Sequence, residues 1–226
     1  MTGEGAPRAE YLADGILFDM DGTLVDSTAV VEAAWARFAD RFGLRVADIL
    51  AYSHGRLTVD TVRRFLPAGD DVEAVVRDMQ QWELVRTDGI VEVPGAAALL
   101  RALSGARVAV VTSAPRELAL RRLAAAGIEV PAVVVAAEDV AVGKPDPSGY
   151  LQGARALGVS AERCIAFEDA DAGLRAALAS GARTVVVGAL DSETARGLDR
   201  VPDFRGVRAR VEPDGGVRLS WGRRPA

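Results

Sequence analysis

The sequence predicts a doubly wound α/β fold, a parallel sheet with helices on both faces, with a helical cap domain inserted into it. Short apolar runs rich in β-branched residues recur at 15–18, 107–111, 133–135, 164–167 and 184–187, as strands buried on both faces require. Segments of helical spacing stand between the later runs, and strand alternating with helix builds a parallel sheet. Strand starts after the second are separated by about 20 to 30 residues, one crossover each, whereas the first and second are about 90 apart. Something is inserted there.

The leading segment to Asp14 carries Glu4 and Glu10 and no apolar core, so no signal peptide is expected. No apolar run reaches ~18 residues, so no membrane span is expected either. Within the insertion, 29–42 places Val31, Trp35, Phe38 and Phe42 at three- and four-residue steps, 57–66 continues the pattern, and 71–86 carries Val72, Val75, Val76, Met79 and Trp82. Residues 29–90 hold six of the twelve aromatic side chains in barely a quarter of the chain, enough for a small core of their own. Hinges are expected near 26–27 and 92–95, which makes 27–92 the cap and 1–26 with 93–226 the α/β core. Core helices at 116–126, 148–157 and 170–179 end at Gly127, Gly158 and Gly181, as helices commonly do. After the last strand, 207–211 and 217–219 alternate around Pro213, Asp214, Gly215 and Gly216, a hairpin expected to add to the sheet edge over 203–221.

Composition narrows the function. With 27 basic and 32 acidic residues the net charge is −5, which is no electrostatic footprint for nucleic acid. Cys164 is the only cysteine and His54 the only histidine, so an intrachain disulfide, a zinc site of several His or Cys ligands and a Ser-His-Asp hydrolase are all poor fits. A cytoplasmic monomer is the expectation. Of the 27 basic residues 26 are arginine, and Lys144 alone is lysine. A chain that uses Arg wherever any cation will do, yet keeps one Lys, points to a site wanting a compact ammonium; drift is the alternative.

Four features carry chemistry. Asp19 and Asp21 follow the first strand, one residue apart, with Gly22 and Thr23 completing the run. An EF-hand loop does not fit, since Leu24 stands where its turn glycine belongs and Val30 where its bidentate Glu belongs. Thr112 and Ser113 end the second strand, at the opening of a helix where anions bind readily. Lys144 lies between Gly143 and Pro145, and is no Walker lysine because Glu138 replaces the first glycine. Glu168 and Asp169 end the fourth strand. Taken singly, these read equally as an acidic turn, an N-cap, a surface lysine and a capping pair.

Their common location changes the balance. All four fall at or just beyond the carboxyl ends of successive expected strands, the edge where open α/β sheets bind ligands. Carboxylates gathered there would repel by about 4 kcal/mol per pair at 4 Å and an effective dielectric near 20. A divalent cation would neutralise them, and an all-oxygen donor set selects Mg²⁺.

On these residues the chain resembles the haloacid dehalogenase superfamily, in its Mg²⁺-dependent phosphatase branch with a Rossmann-like core and a helical cap after the first motif. Asp19 through Thr23, Thr112, Lys144, and Glu168 with Asp169 match the four motifs in order over nearly the whole chain. The finer likeness is to phosphatases of small sugar and polyol phosphates, glycerol phosphate among them, through Ser53, His54 and Gly55 with Thr58 and Asp60, Val93 to Gly95, Gly143 to Pro145, and Phe167 to Ala170. The resemblance implies a small phosphorylated metabolite as substrate, Asp19 as nucleophile and metal ligand, and Asp21 as acid then base with its backbone carbonyl on the metal. It further implies Thr112, the N–H of Ser113 and Lys144 as phosphoryl holders, Asp169 as metal ligand, and Glu168 as a ligand or a group that orients one. His54 and Arg56 are the cap residues expected to reach the substrate, with a turn histidine satisfied by backbone as the alternative for His54. Relatives often carry Arg just before the cap threonine, where Leu57 stands here.

Rival activities on the same scaffold differ at single positions. Capped phosphosugar mutases share the core motifs but commonly carry a histidine shortly after the first, where this chain has Val31. The phosphonatase branch needs a cap lysine, absent here, and the dehalogenase branch lacks the second aspartate, which this chain keeps as Asp21. An inactive binding module is disfavoured because every catalytic position is filled.

Overall fold

The computed structural model describes residues 8–222; Glu4 and the rest of 1–7, with 223–226, lie outside the described residues. In chain order come β1 (Arg8–Ala13), β2 (Gly15–Phe18) and β3 (Val25–Asp26), then α1 (Thr28–Phe42), α2 (Val46–Ser53), α3 (Thr58–Phe65) and α4 (Val72–Leu84). β4 (Val91–Glu92) and α5 (Ala96–Ala102) lead into β5 (Val108–Val111), α6 (Arg116–Ala125), β6 (Val133–Val135), α7 (Ser148–Ala156), β7 (Cys164–Glu168), α8 (Asp171–Ala179) and β8 (Arg183–Val187). β9 (Asp199–Val201), β10 (Arg208–Val211) and β11 (Val217–Gly222) follow.

Six strands form one parallel sheet in the order β6-β5-β2-β7-β8-β9. β2 lies between β5 and β7, so the strand order reverses there and a crevice opens at its carboxyl end. All four residues of β2 and all five of β7 are buried, which is why 15–18 and 164–167 read as unbroken apolar runs, with Glu168 the one charged residue among them. On one face Phe18 stacks on Phe167 at 5.2 Å and Phe204 meets both edge-on. A phenylalanine fully buried in this way contributes about 1.5–3 kcal/mol. On the other face Leu17, Val111, Ala154 and Ala166 pack around Tyr150.

The 203–221 hairpin exists, but its place differs from expectation. β10 and β11 pair, and β11 pairs antiparallel with β1 from Arg8↔Gly222 to Ala13↔Val217, so the three make a separate sheet, and β9 occupies the edge of the main sheet beside β8. The leading segment has little apolar content of its own, yet it forms β1 because its partner strand supplies Val217, Leu219 and Trp221, all buried. Trp221 stacks on Tyr11 and meets Phe167 edge-on.

Helices α1–α4 surround a cluster of their own, in which Trp35, Phe38, Ile49, Val62 and Met79 are buried. Asp71 caps α4 by accepting the N–H of Ala74 at 2.9 Å, and Gly43 ends α1 in the left-handed conformation. The chain enters and leaves this helical unit through β3 and β4, which pair antiparallel at Val25↔Glu92 and Asp26↔Val91.

Candidate active site

Backbone hydrogen bonds carry the pairing of β2 with β7 and of β5 with β6 one residue past the strand ends. Asp19 donates its N–H to the carbonyl of Phe167 at 3.0 Å, and Thr112 donates to that of Val135 at 2.9 Å. Beyond Asp19 the chain turns sharply, with Gly22 at φ 86° and its N–H on the Val25 carbonyl at 2.7 Å. A Cβ on Gly22 would stand 2.0 Å from Asp169 Oδ2, so the turn needs glycine for shape and for space.

Lys144 comes from the loop between β6 and α7 and is buried, its Nζ 2.5 Å from Asp19 Oδ1 and 2.6 Å from Glu168 Oε1. It borders a small pocket beside the main cleft together with Thr112 and Ser113, which line both. Leu57, where relatives often carry Arg, closes over this loop. A Cβ on Gly143 would lie 2.4 Å from Leu57 Cγ. Glu168 is fully buried and saturated: Oε1 also accepts the Tyr150 hydroxyl at 2.9 Å, and Oε2 accepts the N–H groups of Asp169 and Ala170 at 3.0 and 3.1 Å. Thr23 Oγ1 donates to Asp169 Oδ1 at 3.0 Å.

Asp19, Glu168 and Asp169 each offer a carboxylate oxygen, and the three oxygens lie within 4.8 Å of one another. Three carboxylates against one ammonium leave two negative charges uncompensated. Burial, then the Glu168 charge, pushes the Asp19 carboxyl up to about 7 against the pull of Lys144. Burial and the charges of Asp19 and Glu168 hold Asp169 well above the ordinary carboxylate range. Burial works against the Lys144 ammonium, but the two carboxylates outweigh it and its pKa is raised. A site with this much stranded negative charge and only oxygen donors fits a divalent cation.

The cleft in front of Asp19 has a volume of about 120 Å³. Asp21, Thr112, Ser113 and Asp169 line it from the core, and Val31, Ser53, His54, Arg56 and Thr58 from the helical unit. Thr112 is buried, with Oγ1 accepting the N–H of Ala114 at 3.0 Å. The Ser113 hydroxyl donates to the Gly55 carbonyl at 2.8 Å, joining core to helical unit, while its main-chain N–H meets no acceptor among the described residues. His54 Nδ1 lies 2.7 Å from the Leu50 carbonyl, the backbone-satisfied arrangement, yet the ring also lines the cleft. Arg56 lies over the Tyr52 ring at 4.4 Å.

Four residues escape the sequence reading. Tyr150 and Ser27 are hidden because a buried hydroxyl on a helix or beside a hinge leaves no periodic mark. Arg122 and Glu83 leave a fainter one: Leu118, Ala119, Arg122 and Leu123 form the buried stripe of α6, so Arg122 is a cation on an apolar face. It bridges Asp21 Oδ1 at 2.9 Å and Glu83 Oε1 at 2.6 Å.

Comparison with known proteins identifies the family. The family model for haloacid dehalogenase-like hydrolases matches residues 13–181. Hexitol phosphatase A of Escherichia coli (strain K12) is 41% identical over 179 residues, covering 77% of this chain and 83% of its own. 2-Deoxyglucose-6-phosphate phosphatase 1 of Saccharomyces cerevisiae is 33% identical over 201 residues, covering 78% and 80%. The crystal structure of CbbY from Rhodobacter sphaeroides in complex with phosphate superposes with a TM-score of 0.74 at 27% identity, over 85% of this chain and 95% of that one. With the motif residues gathered at one strand edge and three quarters of its length matched, the chain belongs to the haloacid dehalogenase-like hydrolase family.

Proposed function

We propose that the protein is a Mg²⁺-dependent phosphomonoesterase of small sugar or polyol phosphates, working through an aspartyl-phosphate on Asp19. The observation that carries this reading is the buried Asp19 carboxylate fixed by Lys144 at the floor of a cleft that Asp21 and Asp169 share. Relatives whose names specify hexitol and deoxyglucose phosphate phosphatases support the substrate class.

An Asp19 carboxylate oxygen attacks phosphorus in line, the bond to the leaving oxygen breaks, and Asp21 gives that oxygen its proton. Asp21 then takes a proton from water, whose oxygen attacks the same phosphorus and releases phosphate and the Asp19 carboxylate. Thr112, the N–H of Ser113 and Lys144 hold the phosphoryl oxygens, the N–H having no competing acceptor among the described residues. Asp19, Asp169 and the Asp21 carbonyl would hold Mg²⁺, with Glu168 as a further ligand or as the group that orients one; its four hydrogen bonds, one of them from Lys144, support the orienting role. When bound, the ion offsets the negative charge of carboxylates and phosphoryl group.

Such a reaction needs accelerations up to ~10²¹, of which proton transfer supplies ~10²–10⁴, so positioning and charge neutralisation carry most of the load. That assigns 27–92 a purpose as a cap that excludes water, with His54 and Arg56 on the substrate side. Val31 presents only an apolar surface to the cleft, which favours hydrolysis over the mutase alternative. No helix among the described residues is long and apolar enough to cross a membrane. Cys164 is buried and unpaired, which suits a reducing cytoplasm, and we take the enzyme as a monomer there.

The test is phosphate release from glycerol, hexose and hexitol phosphates and an aryl phosphate, with Mg²⁺ and with chelator. Asp19→Asn is expected to lower kcat by about 10⁴-fold or more. Activity kept by that variant or in chelator would overturn the reading, and sugar-phosphate interconversion without net phosphate release would favour the mutase.

A further inference from the structure

Arg122 is 3% exposed, on the core helix α6, and its two terminal nitrogens face different parts of the molecule. Nη1 donates to Asp21 Oδ1 at 2.9 Å, and Nη2 donates to Oε1 of Glu83 on α4 of the helical unit at 2.6 Å. Glu83 is itself buried. We propose that Arg122 is a positioning residue for Asp21, set by Glu83, so that proton transfer is aligned only while the helical unit is seated on the core. This rests on the reading of Asp21 as acid and base.

Stability does not account for the network. Taking an arginine and a carboxylate out of water costs more than their attraction returns unless every polar atom is satisfied, and apolar residues of similar volume often serve as well. Here Arg122 Nε is buried with no partner among the described residues. The arrangement therefore retains a penalty that a purely structural contact would shed.

What it achieves is orientation. Asp21 Oδ1 accepts from Arg122 and also from Ser27 Oγ at 2.6 Å, while Oδ2 accepts from nothing among the described residues. One oxygen is pinned and the other is left for the leaving group and then for water. A guanidinium is a rigid plane, so fixing one arm on Glu83 fixes the direction of the other. Ser27 stands at the foot of α1, beside the paired strands β3 and β4, so both groups that set the carboxyl depend on where the helical unit lies. Lifting it would remove Glu83 and free the Arg122 fork to rotate. A misplacement near 1 Å costs about 100-fold in rate.

The experiment follows single-turnover phosphorylation of Asp19 in the full chain with Mg²⁺, comparing a hexitol phosphate, whose alkoxide needs a proton to leave, with 4-nitrophenyl phosphate, whose phenolate does not. Arg122→Met is expected to slow the hexitol phosphate step about 100-fold and the aryl step about threefold or less, with little change in KM. Glu83→Gln, which keeps the shape, should act in the same direction at about tenfold, and Arg122→Lys should recover part of the loss. The double variant R122M/E83Q should be no slower than R122M, because both residues act through one contact. Should Arg122→Met fail to fold, E83Q and R122K carry the same comparison. Equal losses on the two substrates, or additive losses in the double variant, would overturn the positioning role. Asp21→Asn inactive while Arg122→Met matches wild type would overturn this inference alone. A wild-type chain inert toward both phosphates, or an Asp21→Asn variant at full rate, would remove the acid–base reading and this inference with it.

Discussion

Lys144 Nζ stands 2.5 Å from Asp19 Oδ1, and both side chains are buried. Its other contact, Glu168 Oε1 at 2.6 Å, belongs to a different strand, so one ammonium ties two carboxylates that would otherwise repel. A guanidinium directs its paired donors at the two oxygens of one acid and needs more room. Lys144→Arg is therefore expected to lose at least about 100-fold in kcat and to melt earlier than wild type. Lys144→Met leaves Asp19 and Glu168 buried with no cation between them, Glu168 keeping only its neutral donors, and should destabilise by about 3–5 kcal/mol. Phosphate release and thermal unfolding measure these effects, and an Arg variant with full activity would contradict the account.

The raised Asp19 pKa fixes a pH dependence. In the metal-free protein the carboxyl titrates near 7, against 3.8 as its ordinary value, so between those limits the folded state holds a proton that the unfolded state has lost. Stability from this group thus falls as pH rises from about 4 to 7, then levels off. A divalent cation binds the deprotonated form, so Mg²⁺ should raise Tm more at pH 8 than at pH 5 and should release protons when titrated in at pH 6. Calorimetry in buffers of differing ionisation enthalpy measures the release, and an unchanged Tm shift across that range would contradict the charge balance described for the site.

Gly22→Ala tests the turn. The residue sits at φ 86°, a conformation that costs about 1–2 kcal/mol for an L side chain. Its new methyl would also displace Asp169, whose Oδ2 would stand only 2.0 Å from the added Cβ. The Mg²⁺ concentration for half-maximal activity should rise about 10- to 100-fold, with a lowered Tm. Metal titration of activity beside thermal unfolding separates the two effects.

Arg56 tests the substrate side. It lines the cleft from the helical unit and rests on Tyr52. Arg56→Ala should raise KM for a hexitol phosphate about tenfold while leaving kcat for 4-nitrophenyl phosphate nearly unchanged. A loss confined to kcat would place Arg56 in the chemistry instead of in recognition.

The parallel strands of the main sheet and most of the helices are legible in the sequence because burial on two faces leaves unbroken Val, Ile and Ala runs, and because Trp35, Phe38 and Met79 keep helical spacing. The motif carboxylates and Lys144 are legible for a different reason: each follows a strand, and strand ends converge. What escapes has no periodic signature. α2 is eight residues long and buries only Ile49 and Ser53, too little for a stripe. β1 is stabilised by β11, more than two hundred residues away, and no local pattern reports a partner so distant. Ser27 and Tyr150 act through single hydroxyls. Arg122 is in view as a charge on an apolar helix face, and only its contacts show what it faces.

The pairing of β1 with β11 has a consequence for biosynthesis. A nascent chain synthesised only as far as Val187 already possesses Asp19, Thr112, Lys144 and Asp169, yet Trp221, which packs against Phe167 one residue before Glu168, has not been made. Translation must proceed some thirty-five codons further before the strand that leads into Asp169 acquires this support, roughly two to seven seconds at ordinary elongation rates. Catalytic competence should therefore appear late and abruptly rather than accumulate with length.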